Sequence, residues 1–253
     1  AVGEKVTTGS HIKLKGGTVK AGVAGNFKNN AGSSLVGAFA EYGKADYDTY
    51  LDDGTRGSGD TMHYGLGFFV NHTFESDFYL QGGLKFGKVE TDYESSDFGR
   101  HANGNTVSFG TNSSYVGLQV GAGQIMRLGD SDTIDAYAKY LQTRVGSDKT
   151  KLSSGETYHF DSVQSKRLRI GAKYEHAFND KFSAFAGGAV EREFDGEANA
   201  KWQGFNLPAP TMKGNTGIVE LGVSTGGSVK VDASVQGFGG RRKGGALNIG
   251  IKF

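Results

Sequence analysis

The chain has 253 residues, a net charge of +1 and no cysteine, and 42 of its residues are glycine. The balanced charge gives no general attraction to nucleic acid, and the lack of cysteine excludes disulfides and thiolate metal sites. Only 36% of the residues are hydrophobic, which is little for a thick apolar core, yet 17 phenylalanines and 11 tyrosines argue against disorder. No apolar run approaches the roughly 18–20 residues of a membrane-spanning helix, and the first residues lack a signal-peptide pattern.

Alternating apolar and polar residues recur along the chain and predict half-buried β-strands. The first clear strand lies in residues 11–28, and about ten more follow from residue 33. The clearest of these are residues 78–86, 134–140, 168–174 and 229–235. Because closed single-chain barrels favour an even number of strands, we expect a further short strand around residues 2–10, which gives about twelve.

The connections between the predicted strands alternate in length. The short ones are residues 29–32, 75–77, 128–132, 178–180 and 225–228, and the long polar ones are roughly residues 48–60, 94–106, 147–160 and 196–213. In a meander, this alternation places all short turns at one end and all long loops at the other, as in outer-membrane barrels. Many strand stretches exceed the roughly 9–11 residues that cross a bilayer, so we expect strands to project above the membrane.

We therefore predict an all-β chain that forms a transmembrane antiparallel β-barrel of about 12 strands, with short periplasmic turns and long extracellular loops. The alternative is a large soluble β-sandwich or barrel, which also alternates apolar and polar residues. It is disfavoured because the apolar content is low and because charged residues recur on the face opposite the apolar one, which suits a wet lumen.

Several segments, taken in their order and spacing, resemble one known family. They are TTGSH at 7–11, GAFAEYGKADYDTY at 37–50, SKRLRIGAKYEHAF at 165–178, EREFDGEA at 191–198, ELG at 220–222, QGFGGRRKGG at 236–245 and the terminal Phe253. Together they resemble the C-terminal translocator domain of autotransporters, the type V secretion proteins of Gram-negative bacteria. The resemblance covers nearly all of residues 1–253, which we interpret as one translocator domain.

The resemblance implies a barrel in the bacterial outer membrane that anchors an N-terminal passenger and helps to export it to the cell surface. It also implies a linker helix inside the lumen and insertion by the outer-membrane β-barrel assembly machinery. We expect a monomeric barrel with a periplasmic C-terminus. Residues 1–10 are too few for a passenger and hold no evident lumen helix, so we expect the passenger and most or all of the linker to be absent from this sequence. Whether the passenger is cleaved stays open.

Charged residues on the parity opposite the apolar one are candidates for the lumen wall. They are Arg167, Arg169, Glu191, Glu193, Glu220 and Asp232. The two glutamates at 191 and 193 share a parity and follow the two arginines by one strand, so cross-strand pairing is expected. Such a wall either lets an extended chain pass without sticking or braces the barrel through its ion pairs, and the two readings are compatible.

The final strand has one apolar face, formed by Leu247, Ile249, Ile251 and Phe253. We expect this face to contact lipid while the strand pairs with the first strand to leave no open edge. By resemblance, the terminal phenylalanine is also a recognition signal for the assembly machinery. Just before this strand, Arg241, Arg242 and Lys243 are placed in the last outer loop, as candidates for contact with lipopolysaccharide phosphates.

Aromatic residues near the strand ends are expected at the membrane–water boundary. They are Phe68, Phe74, Phe78, Phe86, Tyr140, Tyr174, Phe182 and Phe253.

Two other function classes compete with secretion: a stand-alone porin or adhesin-like barrel, and a barrel enzyme. For the enzyme, the loop residues Asp52, Asp53, His63, His101 and His159 are the only candidates we can name. The chain has no G-x-S-x-G or H-E-x-x-H motif, and its glycine clusters lack the lysine and helix start of a phosphate loop. We therefore predict no catalytic, cofactor or metal site.

Overall fold

The computed structural model of the chain describes residues 2–5, 11–51, 54–97, 106–202, 205–206 and 211–253. All regular secondary structure in these residues is β-strand, as the alternating pattern predicts. The strands are β1 Val2–Lys5, β2 His11–Asn29, β3 Gly32–Tyr50, β4 Arg56–Phe74, β5 Phe78–Ser95, β6 Val107–Arg127, β7 Asp132–Val145, β8 Asp148–Lys151, β9 Thr157–Phe160, β10 Val163–Asn179, β11 Phe182–Glu193, β12 Ala200–Trp202, β13 Phe205–Asn206, β14 Gly214–Thr225, β15 Lys230–Gly240 and β16 Arg242–Lys252. No described helix is long and apolar enough to cross a membrane.

Twelve of the described strands form a closed antiparallel ring, and four lie outside it. The ring follows chain order, and β1 closes it by pairing with both β2 and β16. This confirms the predicted all-β antiparallel barrel of about twelve strands. The expected first strand is present as β1, while residues 6–10 of that prediction lie outside the described part of the chain.

The two ends of the barrel differ in their connections. At one end, which we call the short-turn end, adjacent strands are joined by two to four residues, as between Asn29 and Gly32. At the other, the long-loop end, the connections are longer, with one exception: only Arg241 separates β15 from β16. The expected outer loop around residues 240–245 is therefore a tight turn, made possible by Gly240, whose φ of 115° favours glycine.

A four-stranded sheet, with the order β13–β12–β9–β8, lies beyond the barrel at the long-loop end. Its strands lie within residues 147–160 and 196–213, which connect barrel strands as expected, but the sequence pattern gave no sign that these connections contain strands of their own. The sheet is fixed to β6 because the backbone N–H of Asn112 donates to Asp148 Oδ2 at 2.8 Å. The ring of Phe160 also stacks on that of Phe109, with centroids 5.4 Å apart.

The inner wall of the barrel is built from aromatic rings that lie over glycines of the neighbouring strand. Phe39 on β3 faces Gly67 on β4, and Phe69 on β4 faces Gly37 on β3. A Cβ atom on Gly67 would lie 2.2 Å from the Phe39 ring atom Cζ, and one on Gly37 would lie 2.5 Å from Cζ of Phe69. Glycine at these positions therefore makes room for a ring, which explains part of the high glycine content.

Candidate functional site in the barrel lumen

Glu191 on β11 is the most deeply buried charged group of the lumen, with 2% of its surface exposed. It lies directly opposite Arg169 on β10, whose Nη2 donates to Glu191 Oε2 at 2.7 Å. Arg167 approaches the other oxygen, Oε1, at 3.6 Å, and Arg242 from the start of β16 also donates to Oε1. One carboxylate is thus surrounded by three guanidinium groups from two other strands, as a buried anion requires.

Glu193 lies two residues further along β11 and faces the lumen beside Glu191. Its Oε2 accepts a hydrogen bond from Ser165 Oγ at 2.5 Å and lies 3.7 Å from Arg167 Nε, while its Oε1 accepts one from the backbone N–H of Lys166 at 2.7 Å. Arg167 therefore bridges the two carboxylates. The four residues 167, 169, 191 and 193 are brought together by the antiparallel register of β10 and β11, in the cross-strand arrangement that their parity predicts.

A second buried carboxylate, Glu41 on β3, forms a separate cluster in the lumen. Its Oε1 accepts hydrogen bonds from Lys85 Nζ at 2.9 Å and Tyr115 Oη at 2.6 Å. Its Oε2 lies 3.4 Å from Lys20 Nζ. These residues are not among the predicted lumen charges, although Glu41 stands among glycines on the inward parity of β3, which is the signal that marks it.

The other two predicted lumen residues lie closer to the short-turn end. Asp232 on β15 accepts a hydrogen bond from Ser224 Oγ at 2.6 Å and lies 3.6 Å from Lys252 Nζ. Glu220 on β14 is half-buried and faces Gly187 and Gln236 in the register. The structure therefore keeps these two carboxylates apart from the Glu191 cluster, and their role in a lumen wall stays a prediction.

The three basic residues proposed to contact lipopolysaccharide do not act as one patch. Arg242 has inward parity and its guanidinium is on Glu191, so its charge is not presented outside the barrel. Arg241 donates to the carbonyl oxygen of Thr211 in the preceding connection. Lys243 is exposed on the outward parity of β16, which leaves it as the member of the three that can still meet an external phosphate.

The apolar parity of the closing strand lies on the outer surface of the barrel. Leu247 is 69% exposed, and Ile249, Ile251 and Phe253 are also exposed. At the short-turn end, aromatic pairs stand beside two turns, with ring centroids 5.8 Å apart for Phe74–Phe78 and 5.5 Å apart for Phe178–Phe182. An exposed apolar surface of this kind needs a covering other than water, and its contact with lipid stays a prediction.

The residues considered for catalysis are not assembled into a site in the described part of the chain. Asp52, Asp53 and His101 lie outside the described residues. His63 faces the edge of the Tyr115 ring in the lumen, whereas His159 lies 3.3 Å from Asp161 in the outer sheet. Among the described residues, no three histidines or carboxylates are grouped to hold a metal ion.

The comparisons with known proteins agree with this architecture. A family model described as the autotransporter β-domain matches residues 3–237. Comparison with curated protein sequences finds no match.

Three solved structures are similar in fold. The transport unit of the autotransporter AIDA-I from Escherichia coli has a TM-score of 0.74 and 12% identity, over 100% of this chain and 87% of that chain. The translocator domain of NalP from Neisseria meningitidis has a TM-score of 0.72 and 18% identity, over 100% and 85%. The β-domain of the Bordetella autotransporter BrkA has a TM-score of 0.67 and 16% identity, over 99% and 92%. Since the family match spans nearly the whole chain, this protein belongs to the autotransporter β-domain family of outer-membrane translocators for passenger export.

Proposed function

We propose that this barrel anchors an N-terminal passenger in the outer membrane and helps to export it through or alongside its lumen to the cell surface. The family match over residues 3–237 carries this proposal. We further propose that residues 1–253 form one translocator domain and that the barrel acts as a monomer. The passenger and the linker helix would then belong to the part of the complete chain that precedes this domain.

The two carboxylate clusters of the lumen support a barrel wall that lets an extended polypeptide pass. Glu191 and Glu41 are each surrounded by cationic groups, so the wall is strongly polar while its most buried anions are already paired. An extended polypeptide that passes such a wall meets few unpaired charges to hold it. The same ion pairs also tie distant strands together, which braces the barrel around the passage.

The lengths of the connections support one orientation in the membrane. In outer-membrane barrels, the short turns face the periplasm and the longer loops face outside. We accordingly place the C-terminus in the periplasm and the four-stranded outer sheet at the cell surface. In this orientation, Lys243 is near the outer leaflet, where it can meet lipopolysaccharide, and the exposed closing strand is available to the barrel assembly machinery. We propose no catalytic step for this chain.

Surface display of a reporter tests the export function. The complete chain is expressed with its passenger replaced by an epitope-bearing reporter, and intact cells are treated with an external protease. We expect the reporter to be degraded while a periplasmic control protein is protected. If the reporter stays protected although the barrel is folded in the outer membrane, the export proposal is wrong.

Single-channel conductance separates the translocator from an open porin. The complete barrel is measured with and without the segment that precedes Ala1. We expect the upstream segment to lower the conductance, because in a translocator it occupies the lumen. Equal conductance with and without that segment would favour the porin instead.

A further inference from the structure

Two short turns of the barrel carry the same pattern of aromatic side chains, His-x-Phe-x-x-x-Phe. The pattern comprises His72, Phe74 and Phe78 at the β4–β5 turn, and His176, Phe178 and Phe182 at the β10–β11 turn. In both, the histidine ring stands nearly perpendicular to the ring of the first phenylalanine, with centroids 4.4 and 4.7 Å apart. The two turns therefore share one framework, and they can be compared side chain by side chain.

The two turns differ in the group that the histidine meets on the neighbouring strand. His72 lies opposite Ser34, whose Oγ is 2.7 Å from the histidine Nδ1. His176 lies opposite Asp132, whose Oδ1 is also 2.7 Å from Nδ1. The same Oδ1 accepts a hydrogen bond from Tyr174 Oη at 2.5 Å. The common framework thus carries an uncharged hydroxyl at the β4–β5 turn and a carboxylate at the β10–β11 turn.

The carboxylate of Asp132 lies on the outer surface of the barrel without a lysine or arginine beside it. Among the described residues, neither cation forms an ion pair with it, and its second oxygen, Oδ2, has no hydrogen-bond donor. Asp132 has the parity of Ile134, and Met126 and Leu128 on the adjoining chain are exposed apolar residues. An ionised group at the border of an apolar surface is costly unless a positive partner accompanies it. The partner of this carboxylate is therefore to be sought outside the chain.

The β10–β11 turn adds two groups that suit a ligand with both charges. Phe178 and Phe182 are 59% and 40% exposed, and aromatic faces attract ammonium groups. Lys181, between them in sequence, is exposed and forms no ion pair in the described part of the chain. The corresponding residues 75–77 of the β4–β5 turn contain no lysine. One turn therefore presents a carboxylate, aromatic faces and an exposed cation, whereas the other presents only the rings and a hydroxyl.

We propose that the outer surface at the β10–β11 turn binds a phospholipid headgroup that carries a primary ammonium, with the ammonium at Asp132 and the phosphate toward Lys181. The inference rests on the proposed placement of the short-turn end at a membrane surface. A primary ammonium donates hydrogen bonds to a carboxylate, which a trimethylated ammonium cannot do. A purely anionic headgroup is disfavoured because Asp132 and the turn residue Asp180 would repel it.

Native mass spectrometry of the folded complete chain tests this lipid preference. The barrel in detergent is mixed with equal amounts of phosphatidylethanolamine, phosphatidylcholine and phosphatidylglycerol that have identical acyl chains, and the lipids retained after release from the micelle are counted. We expect phosphatidylethanolamine to be retained about fivefold more than either other lipid, as one charge-assisted hydrogen bond near a surface provides. N-acetylated phosphatidylethanolamine, which lacks the ammonium, should lose this advantage.

The variant Asp132→Asn and its matched control Ser34→Ala assign the preference to one turn. Asparagine keeps the size of the side chain but removes its charge, so we expect the preference to disappear, whereas Ser34→Ala should leave it unchanged.

Equal retention of the three lipids, stronger retention of the anionic lipid, or an unaltered preference in Asp132→Asn would each overturn the proposal. If that variant does not fold, the comparison with the N-acetylated lipid on the unmodified chain decides. The readout does not involve the passenger, so failure here leaves the export proposal standing.

Discussion

Glu191 shows how a single buried charge holds distant parts of this barrel together. Arg169 and Arg167 reach it from the adjacent strand β10, whereas Arg242 reaches it from β16, which lies three strands away around the ring. The carboxylate therefore connects parts of the wall that no backbone ladder joins directly. If it were removed, the three arginines would lose the carboxylate that they share, and Arg167 would keep Glu193 at 3.7 Å.

The first prediction concerns this residue. Glu191→Gln should lower the stability of the barrel by about 2–4 kcal/mol, a value reduced from that of a fully buried pair because the arginines keep some solvent contact. The measurement is the temperature at which the heat-modifiable, folded band is lost on a gel. Glu220→Gln is the control, since no ion pair to Glu220 is seen in the described residues. Equal melting of the two variants would contradict the role given to Glu191.

At the scale of the strand pair, contacts between aromatic rings and glycines help to fix the register of β3 against β4. The rings of Phe39 and Phe69 each occupy the space above a glycine of the opposite strand. The pairing is reciprocal, so a slip of the register by two residues would place Phe69 opposite Leu35 or opposite Phe39, in place of a glycine. Ring and glycine thus specify the register inside a wet lumen, where an apolar core cannot do so.

The second prediction follows from this packing. Gly67→Ala should destabilise the barrel by about 1–3 kcal/mol, because its Cβ collides with the ring of Phe39. Gly239→Ala is the matched control, since nothing lies within 4 Å of the Cβ it would add. Adding Phe39→Leu to the Gly67 variant should recover part of the loss in thermal melting. If both alanine variants melt alike, the ring does not set the register.

The third prediction compares the two faces of β16. Leu247→Arg should cost up to about 2–4 kcal/mol near the midplane of the bilayer and less toward its surface, because the charge would face lipid. Lys252→Ala should cost less, because Lys252 has inward parity. Its side chain is exposed, and its Nζ lies 3.6 Å from Asp232 Oδ2. Urea unfolding of both variants in lipid vesicles measures the difference. A larger loss for Lys252→Ala would reverse the assignment of faces.

The sequence allowed the barrel to be predicted because its signals are local. Period-two alternation marks strands such as Phe78–Ser95, and polar turn residues mark the connections. The outer sheet was missed because a strand such as Asp148–Lys151 has no apolar alternation. The cluster around Glu41 was missed because it joins residues of β2, β3, β5 and β6, and such contacts depend on register, which one sequence does not reveal. The inward direction of Arg242 was missed for another reason: the residue was assigned to a loop, where the alternation of a strand does not apply.

At the scale of the whole fold, closure of the ring depends on the pairing of β1 with β16. The ring is complete only because the first strand lies against the last. A barrel closed in this way folds only after its C-terminal strand is in place, since a non-local pair must form across the length of the chain. We therefore expect residues of β16 to influence assembly more than their number implies.

The fourth prediction tests this dependence. Phe253→Glu, or deletion of Phe253, should reduce the amount of heat-modifiable barrel in the outer membrane severalfold, although the side chain is 98% exposed. An exposed residue normally changes stability by less than about 0.5 kcal/mol. Quantitative immunoblotting of outer-membrane fractions measures the yield, and Phe182→Glu, beside the short turn between β10 and β11, is the control. Normal yields of the Phe253 variants would show that this side chain is dispensable for assembly.

Because the strands differ in length, the barrel wall at the long-loop end is higher on one side than on the other. β3 and β4 have 19 residues and β6 has 21, whereas β15 and β16 have 11 and are joined by a tight turn. At about 3.3 Å per residue and the tilt usual for such barrels, eight extra residues raise one side by roughly 20 Å. The outer sheet adds to the high side through its contacts with β6. Among the described residues, the wall at the long-loop end is therefore higher on the side of β3–β6 than on the side of β15 and β16.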